Sequence, residues 1–236
     1  MKKITLLLVG VFAAGLFLGR TTAPHPSGLA PLPIASAPFV SSASPSSLPS
    51  LLEGVPDVRQ STGYTCGASA LQAVLAYWGT EEREDRLAAR LRSTPEAGTH
   101  PLDIVRVARE FGLTADLREG LEISDLEATL AAGTTVIVDL QAWRDSADLP
   151  WTETWDDGHY MVLLGMDGEN LYFEDPSLLG SRGTIPRSEF VDRWHDYEGD
   201  PPLDPTDRKY VRMAIFLRGS RPAPTAPSPF SRVYRP

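Results

Sequence analysis

Apolar residues recur along this chain with two different periods, and the period changes near its middle. Between residues 66 and 78 they fall at Ala70, Leu71, Val74, Leu75 and Trp78, the spacing of an amphipathic helix, and Gly79 ends it. Further helices are predicted at 83–91, 101–111 and 124–130. In the second of these Pro101 suits the first turn, Ile104, Val105 and Ala108 share one face, and Gly112 follows the end. Beyond residue 134 the pattern becomes short β-branched and aromatic runs at 135–140, 160–166, 170–175 and 210–217, with Asp167-Gly168 marking a hairpin turn. One more short helix is expected at 188–195. Helices first and antiparallel strands afterwards predict an α+β domain.

The ends of the chain read differently. Met1-Lys2-Lys3 precedes an apolar run at 4–19 that Arg20 closes. As a helix the run is about 24 Å long, short of the ~30 Å hydrocarbon core and close to a long signal-peptide core. Residues 1–23 therefore read as a signal peptide or an N-terminal membrane anchor. Thr21-Thr22-Ala23 has the small residues of a cleavage site, whereas Pro24 is a poor first mature residue. Lysines ahead of the run keep the N-terminus cytoplasmic on both readings, so the rest is expected to be extracytoplasmic, periplasmic or secreted. Residues 24–52 are rich in Pro, Ser and Ala with no Asp, Glu, Lys or Arg, the composition of a flexible tether; 219–236 reads as a disordered Pro-rich tail. The folded domain is thus expected at 53–218, as a monomer.

Charge narrows the function. A net charge of -9 without Lys/Arg clusters argues against nucleic acid as a partner. No metal-ligand spacing and no Gly-rich phosphate loop occurs, so neither a metal nor a cofactor is expected.

The chemistry centres on Cys66, the only cysteine, placed where a polar stretch, "QSTGYT", meets the first helix. One cysteine cannot close an intramolecular disulfide, which leaves a buried inert thiol, an intermolecular link or a reactive group. Unpaired N–H groups at a helix start favour a thiolate. Gly67 leaves room for a substrate backbone, and the Gln60 amide lies close enough in the chain to donate to an oxyanion. Of four histidines, His25 is in the tether, His100 precedes Pro101, and His195 reads as a solvated helix-surface residue. His159, after Gly158 at the head of a strand, is the candidate base. A three-residue turn at 167–169 sets Asp175 opposite Met161, on the face that carries His159; a two-residue turn sends it to the other face. Trp143 and Trp155, in the loop "QAWRDSADLPWTETWDDG", are candidates for a substrate-binding lid or for packing on the domain's own surface.

The motifs "QSTGYTCGASAL" and "DGHYMVLLGMDGENLYFEDPS", in the order Gln, Cys, His, Asp, resemble the peptidase C39 family, papain-like cysteine peptidases best known for trimming double-glycine leader peptides. The resemblance covers most of 55–217. It implies a papain-like fold, a peptide or protein substrate, Cys66 as nucleophile, His159 as base, Asp175 as its orienting partner and Gln60 as oxyanion donor. Leader-trimming members are usually joined to an ABC transporter and face the cytosol, so their substrate does not carry over to a domain expected on an exported tether. A cysteine acyltransferase of transglutaminase type and a non-catalytic peptide-binding module are the alternatives.

Overall fold

The computed structural model describes residue 52 and residues 54–223, apart from 179, 200 and 201. The signal or anchor at 1–23, the tether up to 51 and the tail beyond 223 lie outside the described residues. Leu52 and Val55 are already buried in the core. At the other end the Ala223 N–H donates to Tyr77 O, so the first residues of the tail lie along the end of the first helix.

That helix, α1 (Cys66–Tyr77), is central: nine of its twelve residues, Cys66 to Leu75 without Gln72, are buried. Ala, Ser and Gly fill its early turns and let neighbouring elements come close, while Leu71, Val74 and Leu75 are fully covered. Around it stand α2 (Glu84–Leu91) and α3 (Pro101–Glu110), the latter with Pro101 in its first turn as the sequence predicts. Next come β1 (Thr114–Arg118), α4 (Ile123–Ala131), β2 (Thr135–Gln141), a 3-10 turn (Trp151–Glu153), β3 (Gly158–Met166) and β4 (Asn170–Glu174). The chain closes with β5 (Gly183–Pro186), α5 (Arg187–Arg193), β6 (His195–Glu198), β7 (Arg208–Val211) and β8 (Ala214–Arg218).

Six strands form one antiparallel sheet in the order β1-β8-β2-β3-β4-β5, and β6 and β7 form a separate ribbon. All seven residues of β2 and eight of nine in β3 are buried, so the sheet's centre is covered on both faces. This is the expected α+β domain, with the cysteine helix against an antiparallel sheet that carries the histidine.

Three expectations change. The run at 210–217 is two strands rather than one, because Arg212 takes a left-handed conformation (φ 52°) and interrupts the extended chain, so that β7 pairs with β6 and β8 joins the main sheet. The helix expected at 188–195 stops at Arg193, and His195 opens β6, where it is buried rather than solvated: its ring nitrogen Nε2 lies 2.7 Å from Thr154 O and Trp155 stacks on it at 4.2 Å. The third change is the β3–β4 register. The Asp167 N–H donates to Asn170 O, so the turn has two residues, Gly168 and Glu169, not three. Leu164 then bulges, shifting the ladder from Met166↔Leu171 to Val162↔Glu174. The bulge restores the pairing that a longer turn provides, and Asp175 reaches the His159 face after all.

Candidate active site

The loop before α1 is pinned at several points. The Gln60 N–H donates to Pro176 O, which ties it to the residue after Asp175. Glu84 at the start of α2 accepts from Ser61 N (2.8 Å) and Ser69 Oγ (3.2 Å), and Thr62 and Thr65 bond through their hydroxyls at 3.0 Å. Glu174, completely buried, accepts from Val58 N (2.7 Å) and pairs with Arg182, whose other nitrogen donates to Val55 O. The segment leading to the cysteine is thereby fastened to the end of β4, next to Asp175.

The hairpin brings His159 Nε2 to 2.7 Å from Asp175 Oδ1, which also accepts from Ser177 N and Ser177 Oγ. His159 is 2% exposed and interacts electrostatically with Cys66; with Nε2 engaged by Asp175, Nδ1 is the nitrogen left for the sulfur. Burial opposes charge on all three groups, and their mutual contacts outweigh it. Burial pushes the Cys66 thiol up, yet the hydrogen bond and charge of His159, helped by the Tyr160 and Gly67 backbone, bring it below its ordinary value. Burial pulls the imidazole down, yet Asp175 and Cys66 raise it to about 9. Asp175 is held below the usual carboxylate range against its own burial by His159 and Ser177. The arrangement favours a thiolate–imidazolium pair.

The other candidates divide. Trp143, half exposed, lies 5.1 Å from the His159 ring at a 50° tilt and covers it. Trp155 stacks on His195 beneath Lys209, and Trp151 lies under Arg144 and Arg193, so most of the loop's aromatic surface packs on the domain itself. The room left by Gly67 is taken by Thr99: a Cβ there would sit 2.7 Å from the Thr99 Cβ. Gly158 likewise makes room for Asp196, whose Oδ2 would be 2.1 Å from an added Cβ. Gln60 donates from Nε2 to Thr62 O at 2.8 Å, while its buried Oε1 has no partner among the described residues. One Nε2 hydrogen remains for another acceptor. His100 caps α3 through Nδ1 and pairs with Glu198 through Nε2, a structural task.

Three features escape the sequence reading. Asp139 and Asp196 form a carboxyl pair next to the cysteine. Gln141 steadies it, donating to Asp196 Oδ1 (3.1 Å) and accepting from Asp157 N two residues before the histidine. The third is the Glu174–Arg182 pair. An acid in the middle of the apolar run "VIVDLQ" was the available signal for Asp139. Among the described residues no group of His, Cys, Asp and Glu is arranged to hold a metal ion.

Known proteins match this architecture. The family model described as "Peptidase_C39 like family" matches residues 52–201. An uncharacterized protein of Methanothermobacter marburgensis is 33% identical over 122 residues, 51% of this chain and 71% of that protein. The peptidase domain of Streptococcus ComA, a bifunctional ABC transporter of a quorum-sensing pathway, superposes with a TM-score of 0.52 at 19% identity, covering 69% of this chain and 96% of that one. A C39-like peptidase structure from Bacillus anthracis gives 0.53 at 18% identity, covering 73% and 98%. At these identities the two structures show a shared fold.

Proposed function

The chain belongs to the Peptidase_C39 like family, and from that premise we propose that it is an active cysteine peptidase that hydrolyses peptide bonds in an extracytoplasmic peptide or protein. The observation that carries this reading is the single imidazole held between the Cys66 thiol and the Asp175 carboxylate, 2.7 Å from the latter.

In the proposed reaction the Cys66 thiolate attacks the peptide carbonyl. Negative charge develops on the carbonyl oxygen, where the Cys66 N–H at the start of α1 and the remaining Gln60 Nε2 hydrogen act as donors. The His159 imidazolium then gives its Nδ1 proton to the leaving amine, and the C–N bond breaks to leave a thioester. Neutral His159 next takes a proton from water, which attacks the thioester and releases the acid with the thiolate restored. Asp175 keeps the ring in the tautomer that these transfers require and stabilises its charge. The lysines and apolar run at 2–19 support an extracytoplasmic location, and a reporter fused after Arg218 that worked only in the cytosol would overturn it.

The test of the activity is peptide cleavage by the wild-type protein beside Cys66→Ala. Cleavage in the first and none in the second is expected; equal cleavage would refute the assignment.

A further inference from the structure

A cleft of about 330 Å³ opens beside the nucleophile, and Cys66 lines it while His159 does not. Its charges are one-sided. Glu96, Asp139, Asp156, Asp196 and Glu198 line it, against Arg92 and His100, and both of these are already paired, Arg92 with Asp103 at 3.7 Å and His100 with Glu198 at 2.8 Å. Asp139 is 3% exposed, stands in the central strand β2, and its Oδ1 has no hydrogen-bond partner among the described residues. Its neighbours are a second acid, Asp196, and the Tyr160 hydroxyl, and among the described residues neither carboxyl has a Lys, Arg or His partner. Gly158 lacks a side chain where Asp196 reaches in. A buried carboxyl oxygen left unpaired in a protein interior is costly, and a ligand that supplies positive charge removes that cost. The cleft walls include Tyr64, Tyr160 and Trp155, whose apolar parts suit the methylene stem of a long basic side chain. The face of Trp155 already attracts one cation, Lys209, at 5.1 Å.

We infer that this cleft is a specificity pocket for a lysine or arginine side chain flanking the scissile bond, with Asp139 and Asp196 as the residues that recognise its charge. The inference rests on the peptidase reading and adds the substrate class to it. In the empty pocket burial and the neighbouring acid hold the proton on Asp139, and burial raises Asp196 only to about 6, so at neutral pH the pair shares about one negative charge for an entering cation to meet. A charge-assisted contact of this kind favours a basic side chain over a neutral one of the same length by about 10- to 100-fold.

The full-length protein is incubated with matched peptides carrying Lys or norleucine, and Arg or citrulline, at each position flanking one cleavable bond, and kcat/KM is compared within each pair. In parallel, peptidyl acyloxymethyl ketones with Lys or norleucine report modification of Cys66 by intact mass, a readout that does not need turnover. The expected result is a basic-to-neutral ratio of about 10 or more at one position, falling towards one in Asp139→Asn and Asp196→Asn, with folding of both variants checked by circular dichroism. Ratios near one at every position, or a preference that survives in both folded variants, would overturn the pocket and leave the peptidase intact. If the ketones modify Cys66 but no peptide is cleaved, hydrolysis fails while the ratio of modification rates still decides the pocket. Modification by neither ketone would overturn both.

Discussion

Removing the charge of Asp175 while keeping its shape, by Asp175→Asn, isolates what the carboxylate does for His159. The ring holds its proton to about 9 instead of the ordinary 6.5, a preference for the imidazolium worth about 3 kcal/mol. Burial acts against this, so Asp175 and Cys66 together supply more than the net amount, with the Asp175 hydrogen bond the largest of the contacts that raise it. An opposite charge at this range is worth about 1–3 pH units, so the variant should release the imidazolium proton roughly 1–2 pH units earlier. Because Cys66 is the only cysteine, iodoacetamide labelling followed by intact mass reads one site. The wild type should show a reactive thiolate–imidazolium plateau between the depressed thiol pKa and about 9, and the variant a plateau whose upper edge has moved down. Stability follows the same proton. The folded ring keeps it to about 9 and the unfolded ring loses it near 6.5, so this contribution is complete below pH 6.5 and is lost as pH rises through 9. An upper edge that stays at 9 in the variant would refute the role given to the carboxylate.

Three other outcomes are expected. Gln60→Ala should lower kcat by about 10²–10³ while Cys66 still alkylates at the wild-type rate, measured side by side; loss of alkylation as well would show that Gln60 shapes the thiol rather than the oxyanion site. Gly158→Ala forces Asp196 out of its position and should lower unfolding free energy by about 1–3 kcal/mol in urea denaturation. Glu174→Gln removes the charge from a fully buried carboxylate that holds Val58 N and Arg182, and should cost about 1–3 kcal/mol by the same measurement, whereas an unchanged midpoint would mean the segment before Cys66 is held by its other contacts alone.

Much of the fold was legible because its helices carry long amphipathic repeats, and α1 and α3 begin on the residues where the periodicity starts. β1 was not read: "TADLR" buries Ala115 and partly covers Leu117, an alternation of only two apolar residues and too short to stand out. The His159–Asp175 contact was read from a turn length that differs from the one present, and the agreement depends on a bulge at Leu164 that no local pattern announces. His195 was misread because Phe190, Trp194 and the polar residues between them do have helical spacing. What removes it from the surface is tertiary: Thr154 and Trp155, forty residues earlier in the chain, close over it. Gly67 was read as leaving room for a substrate backbone, whereas in the fold Thr99 occupies that room. The Asp139–Asp196 pair joins two distant strands, and only the fold places it beside the cysteine.

The central claim is that Cys66, served by His159, cuts peptide bonds. It is tested most directly by incubating a diverse peptide mixture with the purified protein and reading new termini by mass spectrometry, with Cys66→Ser in parallel. New termini that accumulate catalytically with the wild type and are absent with Cys66→Ser are the predicted result. Unchanged peptides in the presence of a folded wild-type protein whose Cys66 alkylates as a thiolate would contradict it.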